Sequence, residues 1–114
     1  MADLNFYKMK NKKTLIGEIG VDAGMCWIGD PCYILSGNRP KEIGKDWDGF
    51  CKSLDEKGFK GKKQTAQFNY DLGHAGLGVA TSTGYGDGCY PVYATFNDEG
   101  RVAKIEVEFI NEKE

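Results

Sequence analysis

The chain has 114 residues, 15 basic and 17 acidic side chains, and 40% apolar residues. This length and apolar content suffice for one domain, 1–114, with its own core, so neither a disulfide nor a metal is needed for stability. A net charge of −2 argues against nucleic acid as a partner, and the sequence has no apolar run long enough to cross a membrane. The polar N-terminus lacks the pattern of a signal peptide, so we expect a cytoplasmic protein.

Short apolar runs in the first third of the chain predict three strands, at residues 4–9, 14–21 and 25–29. A polar, lysine-rich turn separates the first two of these strands. Pro31 ends or bends the third strand, because proline cannot donate a hydrogen bond to a sheet.

One segment in the middle of the chain has the period of a helix. Its apolar residues fall on one helical face: Ile43, Trp47, Phe50, Cys51 and Leu54. Pro40 suits a first helical turn and Gly58 suits a C-terminal end, so the pattern predicts one short helix over 40–57. We interpret its aromatic stripe as part of the core rather than as a ligand site.

The C-terminal part of the chain predicts a β-hairpin. Residues 90–96 and 101–109 both alternate between apolar and polar, and the turn 97–100 ends in glycine. Pairing Phe96 with Arg101 places Ala94 opposite Ala103 and brings the two apolar faces together.

Two further runs, 64–70 and 77–83, predict strands that precede this hairpin. Many strands and a single helix indicate a mainly β (α+β) fold. We therefore expect a small antiparallel β-sandwich or open barrel with one short helix on a face.

Two five-residue segments repeat nearly the same sequence. Residues 29–33 (Gly-Asp-Pro-Cys-Tyr) and 86–90 (Gly-Asp-Gly-Cys-Tyr) match at four positions and lie 57 residues apart. The repeat predicts equivalent turns in which Asp30 and Asp87 each begin a strand, followed by Tyr33 and Tyr90.

Each aspartate has two interpretations. In one, the carboxylate only accepts hydrogen bonds from free backbone N–H groups in an Asx-type turn. In the other, Asp30 and Asp87 lie on one rim and hold a ligand or polarise water. The second interpretation requires the two turns to approach each other.

These segments also carry a resemblance to a known family. Val-Asp-Ala-Gly at 21–24, Asp-Pro-Cys-Tyr at 30–33 and Gly-Asp-Gly-Cys-Tyr-Pro-Val at 86–92 resemble motifs of an uncharacterised family of small bacterial and phage proteins. The resemblance implies a small β-rich fold and carries no activity with it. A phage or mobile-element origin would favour binding to a host component, in the host cytoplasm, by sequestration or inhibition.

The sequence contains few groups for catalysis. The spacing of Cys26, Cys32, Cys51 and Cys89 matches no zinc module, and free thiols are expected in a cytosolic chain. The single histidine, His74, lies in a glycine-rich loop and is interpreted as a turn residue or as a base facing Cys89 or Asp87.

A second permissive loop, 81–88, combines hydroxyl side chains, Tyr85 and three glycines, which suits either a ligand contact or a long hairpin turn. The candidate ligand-binding residues are Asp30, Tyr33, His74, Tyr85, Asp87 and Tyr90.

We expect a non-enzymatic binding protein, without catalytic residues, metal or cofactor, for a protein or small-molecule partner that the sequence does not identify. The alternatives are a structural phage accessory protein that forms homo-oligomers through an edge strand, and a small Cys/Asp-His hydrolase.

Overall fold

The computed structural model describes residues 12–59, 63–71 and 76–111, and over these residues the chain is mainly β. It contains two open three-stranded antiparallel sheets and two short helices. The strands are β1 (Lys13–Val21), β2 (Met25–Gly29), β3 (Thr65–Asn69), β4 (Gly76–Ser82), β5 (Gly88–Phe96) and β6 (Val102–Val107). The helices are α1 (Cys32–Leu35) and α2 (Trp47–Glu56). The expected mainly β class is confirmed, and the strand predicted at 4–9 lies outside the described residues.

The described residues form two compact units. The first unit contains 12–24 and 84–111 and holds the sheet β1-β5-β6. The second unit, Met25–Thr83, holds the sheet β2-β4-β3 and both helices. Neither helix of the described chain is long and apolar enough to span a membrane, the longer one having ten residues.

In the first unit, β5 is the central strand and pairs with both neighbours. Tyr90 and Ala94 are its buried residues, and their even spacing puts them on the same face of the sheet. The pairing of β1 with β5 is irregular between Leu15 and Gly17, so Ile16 is an extra residue in β1.

Five residues lie between β5 and β6, and the backbone pair formed by Asn97 and Arg101 encloses a turn of three residues instead of the predicted four. The Asn97 N–H donates to the Arg101 carbonyl at 2.8 Å, and Asn97 Oδ1 accepts from the Glu99 and Arg101 N–H groups. Gly100 has a φ of +81°, the left-handed conformation that closes such a loop.

This turn and a bulge shift the hairpin register. Phe96 pairs with Val102 instead of Arg101. A bulge between the pairs of Thr95 and Phe96 then brings Ala94 opposite Ile105 instead of Ala103. The predicted register was therefore wrong by two residues. Because two residues are one full period of a strand, the same side chains still share each face.

The second unit has a core formed by seven buried residues: Ile43, Leu54, Phe59, Ala66, Phe68, Leu77 and Ala80. Phe50 and Phe68 stack with ring centroids 5.0 Å apart, and Trp27 meets both rings edge-on. The predicted apolar stripe thus faces this core. Trp47, at its N-terminal end, stacks on Phe50 but remains 55% exposed.

The helix predicted over 40–57 is shorter in the structure, because Gly44 adopts a φ of +84° and interrupts it. Asp46 then caps α2 by accepting a hydrogen bond from the Gly49 N–H at 2.9 Å. Gly58, with a φ of +82°, follows the helix as predicted.

Two glycines in the second sheet make room for Trp27. Gly29 of β2 pairs with Gly78 of β4, and the indole lies against both backbones. A Cβ atom on Gly29 would lie 2.7 Å from Trp27 Nε1, and one on Gly78 would overlap the ring. The aromatic core therefore depends on the absence of side chains at these two positions.

Candidate functional site

The loop 84–88 in the first unit contains two of the predicted site residues and is tied to a second loop. Asp87 Oδ1 accepts a hydrogen bond from the Gly24 N–H at 2.9 Å. Gly86 and Gly88 have φ values of +107° and +155°, which favour glycine. Two of the segments that carry the family resemblance, 21–24 and 86–92, therefore meet at this contact.

Tyr90 also holds the loop 84–88 in place. As predicted, it lies near the start of β5, and its hydroxyl donates to the Gly86 carbonyl. Its ring is buried and meets Phe109 edge-on, with centroids 5.4 Å apart. Tyr90 is thus a supporting residue whose hydroxyl is already engaged.

Tyr85 is the large side chain that this loop presents to solvent, with 87% of its surface exposed. Gly84 on one side lies against Ile110, since a Cβ atom there would be 2.9 Å from Ile110 Cδ1. Asp87 and Tyr90 hold the other side. The tyrosine therefore projects from a loop whose backbone is braced at both ends.

Asp30 lies in the second unit, and its backbone differs from that of Asp87. It precedes the helix α1 rather than a strand, and its Oδ1 accepts from the Cys32 N–H at 2.9 Å. The prediction that Asp30 and Tyr33 introduce a strand was therefore wrong. Pro31 is the cause, because its φ of −61° suits a first helical turn.

The contact between Asp30 and Cys32 affects both groups. Hydrogen bonds from the Cys32 backbone N–H and then from its thiol lower the pKa of Asp30. The same carboxylate raises the pKa of the Cys32 thiol, first through the hydrogen bond and also through its charge. A nucleophilic cysteine needs the opposite shift.

Tyr33 forms a pair with Tyr70 in the second unit. Their hydroxyl groups share a hydrogen bond, and the rings meet edge-on with centroids 5.6 Å apart. The hydrogen bond and then the charge of Tyr70 raise the pKa of Tyr33 to about 12, because a second ionisation beside the first is unfavourable. The hydroxyl of Tyr33 is engaged within the unit.

The remaining predicted residues are placed as follows. His74 lies outside the described residues. Asp30 and Asp87 belong to different units, so their shared site stays a prediction. Cys89 is exposed in β5. Within the described ranges no cluster of three His, Cys, Asp or Glu side chains is arranged to hold a metal ion.

Sequence reasoning missed an open depression in the second unit. It follows α1 and is lined by Leu35, Ser36, Gly37, Asn38, Arg39 and Lys45. The available signal was the local composition, since 36–45 contains three basic residues and one acidic residue.

Fold and loops together define a small mainly β protein whose exposed turns are fixed by hydrogen bonds between side chains and backbone. Residues 5–107 match the family described as "Protein of unknown function (DUF4241)". Because this match spans most of the sequence, the chain belongs to the DUF4241 family, which confirms the expectation of an uncharacterised family. Neither a curated protein nor a solved structure matches the chain.

Proposed function

We propose that the chain is a non-enzymatic binding protein whose protein partner contacts the loop 84–88. The supporting observation is Tyr85, which is 87% exposed on a loop that is braced on both sides. Tyrosines are enriched among the residues that dominate protein–protein binding energy, because they offer a large contact area with few rotatable bonds.

The hydrogen bonds that fix the loop 84–88 favour affinity, because a partner that binds a flexible loop must also order it. Asp87 fixes the loop to Gly24, and the Tyr90 hydroxyl fixes the Gly86 carbonyl. A preformed loop loses less conformational entropy when a partner binds. The arrangement therefore favours recognition by Tyr85 over a purely structural turn.

The partner is expected to be a host component if the chain has the phage or mobile-element origin that its motifs suggest. Binding would then sequester or inhibit that component in the host cytoplasm, without a cofactor. Cys32 is unsuited to act as a nucleophile, because its raised pKa reduces the thiolate fraction. The hydrolase alternative therefore rests on Cys89 or Asp87 with His74.

Site-specific photo-crosslinking tests this proposal. A photoreactive phenylalanine analogue replaces Tyr85 in one protein and Lys52, an exposed position on α2, in a control protein. Both proteins are expressed in the natural host and irradiated. We expect one discrete adduct from position 85 and none of the same mass from position 52. Equal adduct patterns, or none from position 85, would reject the proposal.

Two variants then measure the contribution of Tyr85 to binding the crosslinked partner. Tyr85→Ala is expected to weaken binding by at least about tenfold, whereas Tyr85→Phe keeps the ring and loses less. Both should unfold like the wild type, because Tyr85 is exposed. Unchanged affinity of Tyr85→Ala would exclude the loop as the contact.

A second candidate function is self-assembly through β6, an edge strand of the sheet in the first unit. If two copies of β6 pair antiparallel about Ile105, each Lys104 lies opposite Glu106 of the other copy. Opposite charges at facing positions stabilise a strand pair by about 0.2–1 kcal/mol each. Val102 and Ile105 are also more than half exposed, although both are apolar.

Charge exchange tests the self-assembly candidate. Glu106→Lys places like charges opposite each other and should shift a dimer to monomer in analytical ultracentrifugation. The double variant Lys104→Glu/Glu106→Lys restores opposite charges and should restore the dimer. A wild-type monomer at high concentration, or equal dimerisation of all three proteins, would contradict this candidate.

A further inference from the structure

The depression behind α1 has the volume of a small-ligand site and an open, mostly polar lining. Its volume is about 580 Å³, within the usual range of roughly 300–1,000 Å³ for ligand pockets. All six lining residues belong to the second unit, and together they provide two cations, a hydroxyl, an amide and one apolar side chain.

The two cations of the depression have no acidic partner in the part of the chain that the structure describes. Arg39 and Lys45 make no ion pair with any described carboxylate. The acidic residues nearest to them in sequence are engaged elsewhere. Glu42 pairs with Lys57 and accepts from the Asn69 N–H, and Asp46 caps α2.

The pKa of Glu42 is consistent with this engagement. Partial burial alone would raise it, but the hydrogen bond from Lys57, with that from the Asn69 N–H and the charge of Lys57, holds it below its usual value. Glu42 therefore remains ionised and paired near neutral pH, and its charge is compensated by Lys57 rather than by Arg39 or Lys45.

The polar lining supplies further hydrogen-bond donors. Ser36 Oγ accepts from the Asn38 N–H at 3.2 Å, which leaves the hydroxyl proton of Ser36 available to donate. The Asn38 side-chain amide adds two donor hydrogens. A guanidinium, an ammonium, a hydroxyl and an amide together form a donor set that suits a phosphate group.

Leu35 gives the depression its apolar wall. Its side chain is 81% exposed, although it directly precedes the polar residues and also lines the depression. An exposed leucine beside an anion-binding group is a place for the apolar body of a ligand.

From these observations we infer that the depression binds a small phosphate-bearing ligand, with the phosphate at Arg39 and Lys45 and the apolar part of the ligand against Leu35. This site is independent of the loop 84–88, since it lies in the other unit.

Nuclear magnetic resonance titration of the full chain tests this inference with inorganic phosphate and phenyl phosphate at constant ionic strength. We expect saturable shifts of the amide signals of Gly37, Asn38, Arg39 and Lys45 with both probes. Phenyl phosphate should bind more tightly, because its ring contacts Leu35. Shifts that increase linearly without saturation, or that spread evenly over all lysines, would overturn the inference.

Matched variants assign the binding to the depression. Arg39→Gln/Lys45→Gln should weaken both probes by at least about tenfold, the size expected when charge-assisted hydrogen bonds are lost. Lys41→Gln/Lys52→Gln removes the same net charge outside the lining and should bind like the wild type. Equal weakening of both double variants would show a general charge effect and would refute the site.

A third variant tests the contribution of the apolar part of the ligand separately from that of the phosphate. Leu35→Ser should remove the preference for phenyl phosphate and leave the affinity for inorganic phosphate unchanged. If the preference persists in this variant, Leu35 does not form the apolar wall. All these substitutions are at exposed side chains, so the proteins are expected to retain the wild-type spectrum elsewhere.

Discussion

Asp30 and Asp87 have almost the same sequence neighbours, yet each carboxylate accepts a hydrogen bond of a different kind. Asp30 bonds two residues ahead to Cys32, while Asp87 reaches Gly24 in a segment far away in sequence. The one position that differs between the repeats explains the divergence. Pro31 keeps its φ at −61°, whereas Gly88 adopts +155°, a conformation that proline is unable to reach.

The contact of Asp87 makes a prediction about stability. Asp87→Ala removes the acceptor of the Gly24 N–H and should lower the free energy of unfolding by about 1 kcal/mol, while Asp87→Asn retains an acceptor oxygen and should lose less. Asp22→Ala, in the turn that contains Gly24, is the control and is expected to stay within about 0.5 kcal/mol of the wild type. Urea denaturation measures all three, and equal losses at positions 22 and 87 would contradict the role of the contact.

The tyrosine pair predicts a pH dependence at the residue scale. The pKa of Tyr33 is raised to about 12 in the folded chain, above its ordinary value near 10. The raised pKa favours the folded state below pH 10, and this contribution is lost as the pH rises through 12. Site-specific ¹³C signals should show Tyr33 titrating near 12 in the wild type and closer to 10 in Tyr70→Phe. An unchanged pKa in that variant would disprove the coupling between the two phenols.

At the scale of the element, the packing of Trp27 across two strands predicts a strong effect at a glycine. Gly78→Ala should destabilise the chain by about 1–3 kcal/mol, because the added methyl group overlaps the indole ring. Gly20→Ala in β1 is a matched strand control, since nothing lies within 4 Å of that site. In a Trp27→Leu background the cost of Gly78→Ala should shrink, and thermal unfolding that shows the same cost in both backgrounds would reject this explanation.

The elements show where sequence reasoning succeeds and where it stops. Alternation predicted β5 and β6, because one face of a half-buried strand is more apolar than the other, and short runs bounded by turn residues predicted the other described strands. The four-residue helix α1 was missed, since one turn is too short to show a helical period. The hairpin register also escaped prediction, because the bulge near Ala103 has no sequence signal that distinguishes it from regular alternation.

The candidate site was predictable only in part, for physical reasons. Asp87 and Tyr90 were placed correctly at the start of β5, because a Gly-Asp-Gly segment before an alternating run marks a turn. The partner of Asp87 was not predicted, since Gly24 lies 63 residues away and no local pattern encodes such a contact. The depression at Arg39 and Lys45 depends on which carboxylates are engaged elsewhere, and this follows only from tertiary structure.

At the scale of the whole molecule, the second unit is expected to fold by itself. It contains its own core and a sheet whose three strands are all present between Met25 and Thr83. A domain of about 60 residues is marginally stable, so the isolated fragment should give a dispersed amide spectrum with a low unfolding midpoint. Residues 84–111 alone lack β1 and should remain unfolded, as isolated hairpins do. A random-coil spectrum for 25–83 would contradict the prediction.

The hydrogen bond between Gly24 and Asp87 closes a long stretch of chain whose length can vary without breaking the contact. It joins the two ends of a 63-residue stretch. Within that stretch an exposed loop can be lengthened at little cost, because doubling the length of a flexible loop costs only about 0.6 kcal/mol of closure entropy. Insertions and deletions in other members of the family are therefore expected between these two motifs rather than within them. For the same reason, an exposed turn position such as Asp71, which lies outside the lining of the depression, is suited to accept an inserted epitope or fluorescent reporter while the 24–87 contact stays intact.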